Sequence, residues 1–372
     1  MSQKIANFVN QGGYSQPDKK ERSSNLELYR IIVMLLIVAH HYVVNSGLTS
    51  VDGPIFADPL SVKSIFLFLF GMWGKTGINC FVLITGYFMC QNKITVKKFA
   101  KLLLEIYFYN IIIYFIFLFT GYSEFSFIDF VKMLLPITSV SYNFTPCYLL
   151  FFLCIPFLNI LVHNMTEKQH LSLLALCCFM YVIIGTIPKF EVRFNYVTWF
   201  CVLFFIGSYL RLYPKNWFTN AKIWVTLTAI SIIASICSVI VMLWLGNCLN
   251  HNGVQYWFVA DSNKFLAVVT AVSSFMLFKN INMKNSKFIN AVASSTFGVL
   301  LIHANSDTMR QWLWKDTFNN VGAYYTNYIY FHAIVSVIMI FVICVLIDQF
   351  RIHFVEKPIF DRLSNYKWFD KN

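Results

Sequence analysis

Long apolar stretches separated by short polar ones run the length of the chain. They lie near residues 26–46, 62–90, 98–120, 145–162, 170–188, 195–211, 222–245, 264–279, 288–304 and 328–350. A spanning helix needs about 20 predominantly apolar residues, and backbone groups in lipid must be satisfied within the segment. The pattern therefore predicts an all-α polytopic integral membrane protein with about ten transmembrane helices. The second stretch carries Gly71, Gly74, Lys75 and Gly77, which predicts a break or a strong tilt there. Residues 127–137 are too few to span and include Asp129 and Lys132, so an interfacial helix is expected. Residues 1–24 are polar and read as a cytoplasmic tail. Residues 25–360 form one transmembrane domain, and 361–372 a second cytoplasmic tail. The first apolar stretch is too long, and lacks the small-residue cleavage site, for a removable signal. No internal repeat is visible, which counts against inverted-repeat transporter architectures.

Composition narrows this further. With 58% hydrophobic and 12% charged residues, a soluble globular chain is excluded. A net charge of +12 raises nucleic acid as a partner, but the bases fall in short loops between the apolar stretches. Twenty of the 29 Lys and Arg residues lie in alternate segments, starting with the amino terminus, and eight lie in the others. Arg30 remains within the membrane. That is the positive-inside pattern, and it places both termini in the cytoplasm. No CxxC pair occurs among the 10 cysteines. Most sit inside apolar stretches, as small lipid-phase residues rather than disulfides or metal ligands.

The first stretch stands out for its charges. Ionisable groups within a spanning helix are costly and mark function. Arg30 and His41 are 11 positions apart, a rotation of about 1,100° or roughly 20° after whole turns, with a rise of about 16 Å. They share one face at different depths, while His40 points roughly 80° away. Glu27 sits one turn before Arg30 and can neutralise it. Depth sorts the remaining groups. Arg30, Lys97, Lys98, Lys101 and Arg211 belong to the cytoplasmic side, where Lys and Arg complement phosphate. His41, His303 and His332 belong to the outer half and can accept protons near neutral pH. A plainer reading stands beside each of these. Lysines after a spanning helix are ordinarily topology signals; Arg30 can snorkel as an anchor, and histidines at helix ends can sit at the wet interface.

Glu27-Leu28-x-Arg30, ten residues, then His41 resembles the arginine–ten–histidine motif of the membrane acyltransferase 3 family. Phe81–Phe88 resembles that family's aromatic–Ser–Gly–aromatic stretch, with Thr85 where serine is usual. Lys97-Lys98-x-x-Lys101 resembles its basic cluster, with lysines in place of the commoner arginines. Pro156-x-Leu158-Asn159, Tyr209-x-Arg211, Thr296-Phe297-Gly298 to His303 and Glu356-Lys357-Pro358 resemble later landmarks. The wording is most like bacterial exopolysaccharide and capsule O-acetyltransferases.

The resemblance implies a multi-pass enzyme of the bacterial plasma membrane. It would move an acetyl group from cytoplasmic acetyl-coenzyme A to a hydroxyl of a surface polysaccharide or its lipid-linked precursor. His41 would be the general base, with Arg30 also in the catalytic site; a transient acyl-histidine is the other mechanism. Arg30, Lys97, Lys98, Lys101 and Arg211 would hold the coenzyme A phosphates. Glu27, Thr85, Tyr87 and His303 would contact the acceptor or support the site. The acyl donor is a substrate, and no bound cofactor or metal is expected. The rival class is a transporter or flippase for glycan precursors, with Arg30 and His41 lining a path. A membrane sensor or assembly subunit is a third reading, weakened by the lack of a soluble output domain.

Overall fold

The computed structural model describes residues 23–137, 143–190, 192, 195–251 and 253–364. Most of the two expected tails, 1–22 and 365–372, therefore lies outside the described residues. All regular structure among the described residues is helical. Many helices begin at a side chain that accepts from the first turn: Ser61 from Ser64, Thr95 from Lys98, Asn195 from Thr198, Ser286 from Ile289. Thr166 and Gln169 form a reciprocal capping box. These residues satisfy amides that the helix itself leaves orphaned.

Among the described residues, 7 helices are long and apolar enough to cross a membrane. They are α1 (Ser24–Val44), the pair α2 (Val62–Gly71) and α3 (Gly74–Met89), α4 (Val96–Phe119), α6 (Phe144–Asn164), α7 (Glu167–Ile184), α9 (Ala221–Cys248) and α14 (Ile329–Arg351, extended by α15, Lys357–Leu363). The interruption expected in the second stretch falls at Met72 and Trp73. Two of the remaining expected stretches form shorter apolar helices, α8 (Tyr196–Leu212) and α10 (Phe265–Asn280). The last forms α11 (Lys287–Ser294) and α12 (Thr296–His303), after which the chain turns by 93° into α13 (Asp307–Thr317). Every expected stretch is helical. Length alone certifies only seven as spans, because α8 and α10 have 17 and 16 residues. The short helix α5 (Phe127–Leu134) is largely exposed.

Hydrogen bonds sort the loops as the charge pattern predicts. Asn25 donates to the carbonyls of Phe278, Lys279 and Ile281, and Ser24 to Asn290. Asn159 and His163 reach the carbonyls of Met89 and Cys90, at the end of α3. These residues all belong to expected inner ends. At the other end Lys63 meets Tyr324 and Thr326, and Lys264 meets Gly185. Helix α3 is the most enclosed span and packs against α1, α8 and α10.

Candidate active site

Arg30, Met34, Ile37 and His41 follow one another at intervals of 4, 3 and 4 residues, so they form a single stripe along α1. The upper three line a cavity of about 90 Å³, walled also by His40, Lys75 and the rings of Phe81, Phe144 and Phe297. That volume is enough for several water molecules. The helical angle alone separates His40 from His41, yet both line this cavity. The reason is local. A Cβ at Gly74 would lie 2.2 Å from Cγ of His40, so the glycine lets the imidazole lie against α3. There His40 Nδ1 donates to the Gly71 carbonyl at 2.6 Å.

The second imidazole is oriented by a third. His303, fully buried at the end of α12, donates from Nδ1 to the Val299 carbonyl at 2.6 Å. A carbonyl only accepts, so neutral His303 carries its proton on Nδ1 and offers a lone pair at Nε2. His41 Nδ1 lies 2.9 Å from that atom and donates to it. The lone pair of His41 is thereby placed on Nε2. The arrangement can take a proton from a group in the cavity, with the rising charge delocalised towards His303 and a backbone carbonyl.

Opposite the histidines, Lys75 Nζ donates to the Tyr196 hydroxyl at 2.5 Å and pairs with Asp261 at 3.5 Å. Tyr196 in turn donates to Asp261 at 3.0 Å. Partial burial pushes the Asp261 carboxyl up, and the Lys75 charge, the Ser262 amide and the Tyr196 hydroxyl outweigh it, holding it below the usual carboxylate range. Nothing in the sequence signals this triad, since its members lie on separate segments. Three aromatic rings, Phe81, Phe144 and Phe297, line the cavity. Tyr148 packs on both Phe144 and Phe297, and its hydroxyl meets Thr85 Oγ1 at 3.1 Å. The charges of Arg30 and Glu105 reach this tyrosine from the far side.

On the expected cytoplasmic side the structure separates the basic residues. Arg30 pairs with Glu27 at 3.5 Å. Lys98 donates to the Lys93 carbonyl, and Lys97 is half-buried near the start of α4. Arg211 donates to Tyr87 at 2.9 Å and to Gln91 at 2.8 Å, and lies close enough to Lys279 for their charges to interact. Lys279 reads in sequence only as a topology lysine. Lys101 donates to Glu356 at 2.7 Å and belongs to a different cluster.

That cluster centres on Arg351, which is 1% exposed. Its guanidinium reaches Asp348 at 2.8 Å, Glu356 at 2.8 Å and Glu105 at 3.3 Å. Tyr109 also donates to Asp348. In an α-helix, residues five apart diverge by roughly 140°. The wide π turn at Ile352–Glu356 removes that divergence and brings Arg351 and Glu356 together. A Cβ at Gly298 would lie 2.3 Å from Oδ1 of Asp348, so the glycine of the Thr-Phe-Gly landmark makes room for this carboxylate.

Comparisons with known proteins add one finding. A family model described as an acyltransferase domain matches residues 23–348. No curated protein and no solved structure matches the chain.

Proposed function

The chain belongs to the acyltransferase 3 family and is a membrane acyltransferase; on that premise we propose that it O-acetylates a surface polysaccharide or its lipid-linked precursor in a bacterial plasma membrane, using cytoplasmic acetyl-coenzyme A. The observation that carries this reading is the Val299–His303–His41 hydrogen-bond chain ending at a cavity. It supports a reading in which His41 Nε2 is the general base that deprotonates the acceptor hydroxyl during attack on the thioester. General-base help is worth about 10²–10⁴-fold; holding both substrates in a site shielded from water supplies much of the rest.

The donor side falls to Arg30, Arg211 and Lys279, with Lys97 and Lys98 at the rim. Lys101 is better assigned to the ionic cluster, because Glu356 already neutralises it. The stripe from Arg30 through Met34 and Ile37 then guides the extended pantetheine arm to His41. Proton NMR of the surface glycan, with and without the gene, tests the reading. O-acetyl resonances should vanish without it. Unchanged acetyl content with reduced glycan export would instead favour a transporter.

A further inference from the structure

We propose that Lys75 is a second catalytic residue, whose ammonium binds the oxyanion that forms on the acyl carbonyl during transfer. The inference rests on the acyl-transfer reading and supplies it with an oxyanion-binding group. Three observations support it. Lys75 lines the same cavity as His40 and His41. Most of the remaining wall is apolar, a setting in which one fixed charge is worth far more than in water. Tyr196 and Asp261 hold the ammonium in place before any substrate arrives. An ammonium has three N–H donors, and these two partners occupy at most two.

The chemistry balances without any further reactant. His41 Nε2 takes the hydroxyl proton as the acceptor oxygen forms a C–O bond to the thioester carbon. The carbonyl π pair moves onto its oxygen, giving an anion beside Lys75. Collapse restores the carbonyl and breaks the C–S bond, and the departing thiolate receives the proton from His41. Negative charge at the carbonyl oxygen exists only between these two events. A cation fixed there stabilises the intermediate more than the substrate, which is the requirement for catalysis.

A purely structural role is the alternative, with Lys75 tying α3 to the outer loop through Asp261. The full chain, purified in detergent and supplied with labelled acetyl-coenzyme A, separates the two. Lys75→Met should lower kcat about 10²–10³-fold with little change in KM for the donor, and Lys75→Arg should fall between it and the wild type. Asp261→Asn breaks the same ion pair but keeps the ammonium, and should cost much less. A Lys75→Met enzyme with near wild-type kcat overturns the proposal. So does an Asp261→Asn loss equal to that of Lys75→Met. If Lys75→Met fails to fold, Lys75→Gln, which keeps a polar side chain without the charge, at full wild-type kcat overturns it as well. A wild-type protein that transfers no acetyl removes the underlying reading itself.

Discussion

Two regions of the molecule gather ionisable side chains inside the bundle, and they treat them oppositely. Around Arg351, the acids Glu105, Asp348 and Glu356 meet the bases Arg351 and Lys101, and opposite charges face one another at close range. Around His41, the bases His40, His41 and Lys75 border a cavity. Their hydrogen bonds to Gly71, His303 and Tyr196 orient them without using up every nitrogen. The first cluster ties α4 to the end of α14; the second lines a cavity and, on the proposed reading, holds reactive groups ready.

Breaking each cluster should give opposite phenotypes. The largest effect is expected for His41→Ala: protein level unchanged and glycan acetylation reduced by about 10²–10⁴-fold or more, read by acetyl-ester content per folded molecule. His40→Ala should be milder, since its ring is held by Gly71 and lies outside the His303 chain; equal loss would make the two histidines one unit. Next, Arg351→Met should leave buried carboxylates unpaired and cost about 3–5 kcal/mol of stability, seen as a lowered unfolding temperature in detergent. Arg351→Met protein of unchanged stability but lost turnover would move the inner cluster into the chemistry.

Smaller effects sharpen the contrast on the donor side. Arg211→Ala should raise KM for acetyl-coenzyme A roughly tenfold, the loss of about one charge-assisted hydrogen bond, with kcat kept. Lys101→Ala should leave that KM unchanged. The smallest effect concerns Asp261. Its carboxyl is held below its ordinary value, so its contribution to stability is complete above the unfolded carboxylate pKa of about 3.9 and is lost as pH falls through the lower folded value. The stability gap between wild type and Asp261→Asn should therefore be flat from pH 5 to 8 and narrow only in acid. A gap that changes near neutrality would contradict this.

These contrasts also show what a linear chain reveals. The helices are legible because apolar length is a local property. Arg30 and His41 are legible because one helix carries both. His303 appears as a polar residue at an outer helix end, but its bond to His41 joins positions 262 apart. Lys75 reads as one more outer base until Asp261 and the cavity appear around it. Lys101 lies beside Lys97 and Lys98 in sequence and resembles part of a phosphate cradle, and only folding brings Glu356 to it. Angular arguments on one helix also fail where a neighbour supplies unusual room, as Gly74 does for His40.

The Thr85–Tyr148 contact, with Phe144 and Phe297 above it, carries a consequence for the cell's energy supply. A route open at once to cytoplasm and exterior would let ions run down the membrane potential, each elementary charge losing about 2.3 kcal/mol per 100 mV. On the proposed reading, this packed contact would act as an insulator, letting an acyl group cross without a current. Replacing these rings with small residues would carry a cost in membrane energisation, separate from any change in acetylation.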